Sequence, residues 1–164
     1  MPKKVFIIGC GALGASLGLA LHRAGREILG IYDIDARAAR MASERIGVKG
    51  FGGSLPEMIK DAQTVIVTVP DDSIATVAQQ AQAEEICAPH QIWIHCSGHL
   101  NYLAFSALEG HVAGMGTMHP AHVFPPKVCT DIPENVFFAV GGTSAGIEMV
   151  QEIVSLLKGR VLLV

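Results

Sequence analysis

Three closely spaced glycines near the start of the chain have the spacing of a phosphate-binding turn. Residues 9–14 (GCGALG) match the pattern G-x-G-x-x-G, in which the backbone binds the diphosphate of a dinucleotide. In that pattern Gly9 permits a tight turn, Gly11 lets the diphosphate approach the backbone, and Gly14 lets the next helix pack closely. The pattern is informative only between a strand and a helix, so the flanking residues decide its value.

The residues around this turn predict a βαβ unit. Val5–Ile8 is a short β-branched and aromatic run typical of a buried strand, and residues 12–24 show the apolar spacing of a helix. A second strand is predicted over residues 28–32. The turn therefore opens a helix after a strand, and the N–H groups around Ala12 and Leu13 are expected to face the bound anion.

An acidic residue stands where the second strand ends. Asp33 lies nineteen residues after Gly14, about the distance at which an acid accepts hydrogen bonds from the ribose hydroxyls. Its charge would repel a 2′-phosphate, so the sequence favours NAD over NADP. Arg37 and Arg40 lie near enough to weaken that preference. A purely structural interpretation, in which the glycines only allow close packing, stays open.

Polar residues also follow three later strands of the predicted sheet. Pro70 and two aspartates come after TVIVTV, Ser97 comes after IWIH, and His119 comes after GMGTM. In a doubly wound sheet, ligands bind beyond the carboxyl ends of the strands. The Ser97 hydroxyl can orient a substrate oxygen, and the His119 imidazole can exchange the proton that accompanies hydride transfer. Structural interpretations of equal weight make Ser97 a loop or capping serine and His119 a loop histidine bonded to the backbone.

Histidines are frequent between residues 90 and 122. Together with Cys96 they could form a zinc site, but no pair shows H-x-x-x-H spacing on a predicted helix. We therefore expect no metal. Cys10, inside the glycine turn, is expected to be an inert filler rather than a reactive thiol. The histidines in question are His90, His95, His99, His111, His119 and His122.

Strand and helix patterns continue to alternate along the rest of the chain, which predicts an α/β fold with a doubly wound, mostly parallel sheet and extra C-terminal strands. The 164 residues are expected to form one domain, residues 1–164. The remaining predicted strands are 64–69, 92–95, 111–118, 135–140 and 160–164. The predicted helices are 36–45 capped by Asp35, 54–60 capped by Ser54, 73–84 capped by Asp71 or Asp72, 102–108 and 144–158.

Composition excludes some classes of partner. Half of the residues are hydrophobic, enough for a substantial core. The 12 basic and 15 acidic residues give a net charge of −3 without a basic block, so nucleic acid is not an expected partner. The four cysteines lack C-x-x-C spacing, which is typical of a reduced, cytoplasmic protein.

The N-terminal region allows a second interpretation. Lys3 and Lys4 precede an uncharged run over residues 5–21, which could imitate a signal peptide. Four glycines interrupt the run, no clean cleavage site follows, and the run is shorter than the about 20 residues that cross a membrane. We therefore expect no membrane segment and a cytoplasmic location.

Four segments in order resemble a known family: GCGALGASLGLAL, TVPDDSIATVA, HCSGHLNYLAFSAL and GTMHPAHVF. They look like the Rossmann half of the DUF2520-type oxidoreductases, which are related to the pyrroline-5-carboxylate reductase, 6-phosphogluconate dehydrogenase-like and prephenate dehydrogenase group. The resemblance implies an NAD(P)-binding fold with cofactor contacts at residues 9–14, at Asp33, and at Val69 and Pro70. It also implies that Ser97-Gly98 and His119-Pro120 line the reaction cleft.

The chain departs from this family at two points. Members often carry serine or arginine in place of Asp33, and they continue into a helical second domain that has no counterpart in these 164 residues. We expect an NAD(P)-dependent oxidoreductase, or its cofactor-binding domain, that transfers a hydride between nicotinamide and a small anionic substrate. The alternative is a non-catalytic NAD(P)-responsive module. Apolar surface left by the absent domain would favour self-association as a homodimer.

Overall fold

Eight strands form a single sheet in the computed structural model, which describes residues 3–164. The strands are β1 (Lys4–Ile8), β2 (Glu27–Asp33), β3 (Gly50–Gly52), β4 (Thr64–Val67), β5 (Ile92–His95), β6 (Gly114–Pro120), β7 (Phe137–Gly142) and β8 (Arg160–Leu163). The α-helices are α1 (Ala12–Arg23), α2 (Ala36–Ile46), α3 (Asp71–Ala83) and α4 (Ser144–Leu156), and two 3-10 helices span Glu57–Asp61 and Tyr102–Leu108.

The order of the strands creates the crevice in which a ligand can bind. The sheet runs β3-β2-β1-β4-β5-β6-β7-β8, and only the β6–β7 pair is antiparallel. The chain winds outward from β1 in one direction to β3 and then crosses over to β4 on the other side of β1. Ligands bind where the winding direction reverses, here between β1 and β4. The predicted doubly wound, mostly parallel α/β fold with extra C-terminal strands is confirmed.

Alternate residues of the central strands pack on opposite faces of the sheet. Val5 and Ile7 face the cluster formed with α1, α2 and α4, whereas Phe6 and Ile8 face the cluster formed with α3 and the 3-10 helices. A strand covered on both faces is apolar throughout, which explains the continuous run in β1 and β4. The uncharged run over residues 5–21 is therefore a central strand and its first helix.

Several local predictions were wrong. The prediction missed β3 because its sequence is Gly-Phe-Gly; a Cβ at Gly52 would lie 2.6 Å from the Ala36 Cβ, so this strand needs glycine beside α2. No aspartate caps α3: the helix begins at Asp71 with Pro70 as its N-cap, and Asp71 and Asp72 lie in the first turn. Their charge there complements the positive helix end.

Three further elements differ from the predictions. The helix after Ser54 is a 3-10 helix with Pro56 at its N-cap, so Ser54 does not cap it. β6 begins at Gly114 rather than residue 111, and β7 begins at Phe137 rather than residue 135.

Within residues 3–164, no helix combines the length and apolar character needed to cross a membrane.

Close contact at the first glycine turn sets how α1 sits on the sheet. A Cβ at Gly14 would lie 2.0 Å from the Gly9 carbonyl oxygen, closer than any real carbon can approach it. A Cβ at Gly11, three residues earlier, would have no atom within 4 Å. The two glycines therefore have different roles: Gly14 serves packing, and Gly11 leaves space open.

We expect Gly14→Ala to lower the free energy of unfolding by about 3 kcal/mol, because the added methyl group forces α1 away from the sheet. Gly11→Ala should change the free energy of unfolding by no more than about 0.5 kcal/mol, because the backbone is extended and the site is open, while alanine is a poorer N-cap than glycine. Urea denaturation of both variants measures the difference. Equal destabilisation by the two substitutions would contradict the steric explanation.

Candidate functional site

Every residue predicted for the site lies at the carboxyl edge of the sheet. In the order of neighbouring strands, Asp33 ends β2, the glycine turn follows β1, Pro70 follows β4, Ser97 follows β5 and His119 lies near the end of β6. Because adjacent strands are about 4.8 Å apart, the loop after β5 lies about 10 Å from the glycine turn and the end of β6 about 14 Å. An extended ligand along this edge can therefore reach all of them.

Hydrogen bonds from two neighbouring strands hold the glycine turn. Gly9 has a φ of +112°, which favours glycine, and its N–H donates to the Tyr32 carbonyl oxygen at 2.7 Å. The Thr68 hydroxyl donates to the Gly9 carbonyl oxygen at 3.0 Å. A Cβ at Gly9 would lie 2.7 Å from that hydroxyl oxygen. Sequence reasoning missed Thr68, whose one signal is a hydroxyl at the end of an apolar strand.

The N-terminus of α1 is open to an anion. Gly11 caps it without a side chain, and no acidic residue lies in its first turn. By contrast, the Asp35 carboxylate accepts a hydrogen bond from the Arg37 N–H at 2.9 Å and caps α2, while α3 carries Asp71 and Asp72 in its first turn. The first N–H groups of an α-helix have no intrahelical acceptor and carry partial positive charge. The open space at Gly11 thus fits a diphosphate group.

Asp33 connects the end of β2 to the glycine turn. Its Oδ2 accepts a hydrogen bond from the Cys10 N–H at 2.9 Å, and its Oδ1 accepts one from the Asp35 N–H at 2.9 Å. Each carboxylate oxygen can accept a second hydrogen bond, so the side chain can still bind a ribose hydroxyl. These two backbone contacts hold the carboxylate in one orientation beside the turn.

A cavity of about 710 Å³ lies beside the glycine turn and is called the α1–α2 cavity here. Its walls come from the turn, from α1 and α2, and from residues 127–129 of the loop between β6 and β7. Asp33 and Asp35 line it together with three cations, Arg37, Arg45 and Lys127. Both signs of charge therefore meet in the cavity.

Two buried cysteines near the site are unreactive. Burial, and to a lesser extent the Asp33 carboxylate, raise the pKa of the Cys10 thiol to about 12. Burial raises the pKa of Cys96 to about 12 as well. Both thiols stay protonated at neutral pH, and the thiolate is the reactive form. This agrees with the inert role expected for Cys10.

Ser97 and His119 line a second cavity of about 370 Å³, called the β5–β6 cavity here. The Ser97 Oγ accepts hydrogen bonds from the N–H groups of His99 and Leu100, each at 3.1 Å. Ser97 is thus a loop serine bonded to the backbone. Its hydroxyl hydrogen has no acceptor among the described residues, so it can still donate to a ligand in the cavity.

The His119 ring is held by one nitrogen, and the other has no hydrogen-bond partner among residues 3–164. Its Nδ1 lies 3.0 Å from the Cys96 carbonyl oxygen, which can only accept, so Nδ1 carries the hydrogen and Nε2 is an acceptor. The ring lies against Gly98, where a Cβ would approach Nε2 to 2.8 Å. Gly98 therefore makes room for an imidazole that can accept a proton.

A second histidine, His95, holds the loop that carries Ser97. It is fully buried; its Nε2–H donates to the Asn101 carbonyl oxygen at 2.9 Å, and its Nδ1 accepts from the Ser97 N–H at 3.3 Å. Burial lowers the pKa of His95, so the ring is neutral at neutral pH, as both hydrogen bonds require. Sequence reasoning considered His95 only as a metal ligand and missed this positioning role.

The zinc interpretation finds no set of ligands within residues 3–164. No group of three or more histidine, cysteine, aspartate or glutamate side chains in that range is arranged to hold a metal ion. Ring nitrogens of His90, His95 and His119 instead lie within hydrogen-bond distance of backbone carbonyl oxygens.

Known proteins similar to this chain include a reductoisomerase and two dehydrogenases by name. The chain is 37% identical over 82 residues to ketol-acid reductoisomerase (NADP(+)) from Erwinia tasmaniensis, a match covering 49% of this chain and 17% of that protein. Prephenate dehydrogenase from Aquifex aeolicus, solved with hydroxyphenyl propionate and NAD+, superposes with a TM-score of 0.79 at 18% identity, over 100% of this chain and 60% of that one.

Synechocystis arogenate dehydrogenase superposes with a TM-score of 0.80 at 18% identity, over 99% of this chain and 59% of that one. At such identities the likeness concerns the fold, and the chain spans about three fifths of these solved structures. The family model of the Rossmann-like domain matches residues 2–120. On this match, which covers most of the sequence, the chain belongs to the Rossmann-like domain family.

Proposed function

We propose that this chain is the cofactor-binding domain of an NAD(P)-dependent oxidoreductase. The observation that supports it most is the N-terminus of α1, which is uncapped, free of acidic residues in its first turn and open at Gly11. This end of the helix can bind a diphosphate through backbone N–H groups. The names of the similar proteins, dehydrogenases and a reductoisomerase, agree with the proposal.

The order of the strands supports one direction for the dinucleotide along the sheet edge. With the diphosphate at Gly11, the adenosine ribose would lie beside Asp33 on the β2 side. The nicotinamide half would extend the other way, past Val69 and Pro70, toward the β5–β6 cavity. Bound in this direction, the dinucleotide would supply or accept a hydride there.

Ser97 would then orient the reacting oxygen of the substrate, and His119 would exchange its proton. The Ser97 hydroxyl donates a hydrogen bond to the reacting oxygen and orients it. The His119 Nε2 accepts the hydroxyl proton when an alcohol is oxidised and returns it in the opposite direction. The Cys96 carbonyl oxygen, 3.0 Å from Nδ1, holds the ring in place and keeps Nε2 available for this exchange.

The β5–β6 cavity suits a small substrate. Its described lining includes histidines but neither lysine nor arginine. The small anionic substrate that we propose would therefore be held by hydrogen bonds rather than by an arginine fork. Asn101 and Thr117 supply further polar groups to the lining.

For the cofactor, we favour NAD over NADP. The Asp33 carboxylate is held beside the turn by two backbone N–H groups, where its charge would oppose a 2′-phosphate. Arg37 and Arg45, which line the same cavity, would attract a 2′-phosphate and so favour NADP. The curated relative named above is an NADP(+) enzyme, so the balance has to be measured.

We further propose a reducing, cytoplasmic setting and self-association as a homodimer. The four cysteines are free, in keeping with a reducing compartment. Phe137 and Leu162 on the neighbouring strands β7 and β8 are exposed, and so is Val164, which gives a second copy apolar surface to cover.

Titration calorimetry with NADH and NADPH, each added separately, tests cofactor binding. We expect heat from at least one of them, and we expect Gly11→Val to abolish it because the side chain fills the space of the diphosphate. The variant should melt at the wild-type temperature, since nothing lies within 4 Å of the added Cβ. Absence of binding by the folded wild-type protein would refute the proposed function.

Replacing Asp33 tests the choice between the two cofactors. We expect Asp33→Asn to raise the affinity for NADPH relative to NADH by about tenfold, equivalent to removing about 1.4 kcal/mol of repulsion. Asparagine keeps one acceptor oxygen, which can still accept the hydrogen bond of the Cys10 N–H. Asp35→Asn is the matched control because it removes a charge from the same cavity and preserves the cap of α2. An unchanged ratio in Asp33→Asn would mean that this side chain does not face the ribose.

Substitutions in the β5–β6 cavity separate an enzyme from a non-catalytic NAD(P)-responsive module. NADH consumption is followed with a panel of small oxo acids, ketones and imines. We expect His119→Gln to lower turnover by about 10²- to 10⁴-fold through loss of the proton acceptor, and Ser97→Ala to lower it as well. Both variants should keep wild-type NADH affinity. A wild-type protein that binds NADH and shows no turnover would instead favour the module.

A further inference from the structure

We propose that Lys127 is a phosphate-binding residue of the cofactor site, an inference that rests on the proposed function. Lys127 lies 116 positions after Gly11, yet both line the α1–α2 cavity. The loop between β6 and β7 makes this possible because it returns across the molecule to α1 before β7 begins. Sequence analysis described this stretch only as a proline-rich loop.

Three contacts hold the loop against α1. The Thr130 N–H donates to the buried Ser16 hydroxyl oxygen at 3.0 Å, Arg23 and Asp131 form an ion pair at 2.6 Å, and Cys129 packs against the core cluster that includes α1. At a rise of about 1.5 Å per residue, Ser16 lies about 6 Å along the axis from the first residue of α1. The anchor is thus close to the helix end that would bind the diphosphate.

A tight turn presents the lysine. The Val128 N–H donates to the Pro125 carbonyl oxygen at 3.2 Å, which makes Pro126 and Lys127 the two central residues of the turn. Lys127 has a φ of +60°, at a turn position where glycine or asparagine is usual. The turn therefore fixes the backbone from which the Lys127 side chain extends in the wall of the cavity.

The positive charge of Lys127 suits a phosphate ligand. The ammonium group of a lysine binds phosphate oxygens as a point charge with three donors. Arg37 and Arg45 belong to α2, whereas Lys127 comes from the loop anchored on α1 itself. Its phosphate is either the diphosphate common to NAD and NADP or the 2′-phosphate of NADP.

The test compares two lysines that share a backbone conformation. Lys127→Gly removes the charge and relieves the turn, so the variant should melt at or above the wild-type temperature. We expect its affinity for the cofactor to fall about tenfold, the effect of one charge-assisted contact, with a weaker dependence on salt. Lys158→Gly is the matched control: Lys158 has a φ of +54°, is exposed and pairs with Glu134 outside the cavity. Its affinity should equal that of the wild type.

Calorimetry with NADH and NADPH identifies the phosphate. An equal loss for both in Lys127→Gly assigns the lysine to the diphosphate, and a larger loss for NADPH assigns it to the 2′-phosphate. Lys127→Arg, which keeps the charge, should retain most of the affinity. Affinities for both within about twofold of the wild type in Lys127→Gly, or an equal loss in Lys127→Arg, would overturn the proposal alone. A wild-type protein that binds neither dinucleotide would refute the proposed function as well.

Discussion

The contact between α1 and the end of β1 is the constraint on which the site depends. Gly14 brings the helix so close to the Gly9 carbonyl oxygen that no side chain fits between them. The Thr68 hydroxyl, at the end of the neighbouring strand β4, donates a hydrogen bond to that same oxygen and holds the turn. With the helix seated this way, its N-terminus has no side-chain cap and the space at Gly11 beside it is open. A packing requirement thus produces a helix end suited to an anion without any charged side chain.

The sheet extends this site in two directions. β2 lies on one side of β1, and β4, β5 and β6 lie on the other. The acid at the end of β2 and the polar residues after β5 and β6 therefore flank the glycine turn. Asp33 reinforces the arrangement, since it bonds the N–H of Cys10 within the turn itself. Residues far apart in the chain become neighbours at one edge because parallel strands all end there.

Two histidines beside the β5–β6 cavity have opposite tautomers. His95 carries its hydrogen on Nε2 and uses both nitrogens to hold the loop from Ser97 to Asn101. His119 carries its hydrogen on Nδ1, bonded to the Cys96 carbonyl oxygen, and keeps Nε2 free. The buried His95 ring is neutral because desolvation disfavours its charged form and so lowers its pKa. The backbone acceptor that each ring meets therefore determines whether it positions a loop or can exchange a proton.

The sequence by itself determined the βαβ unit, the glycine turn and the α/β class, because these depend on local periodicity and on glycines whose spacing is short-range. The sequence predicted poorly the elements whose conformation depends on neighbouring elements. β3 is a strand of two glycines and a phenylalanine, and it needs β2 and α2 beside it. α3 begins two residues earlier than its aspartates suggested. Only the tertiary structure placed Thr68 under the turn, buried His95 beneath Ser97 and brought Lys127 to the cavity beside α1. These contacts join distant parts of the chain, and long-range packing has no signature in local residue patterns.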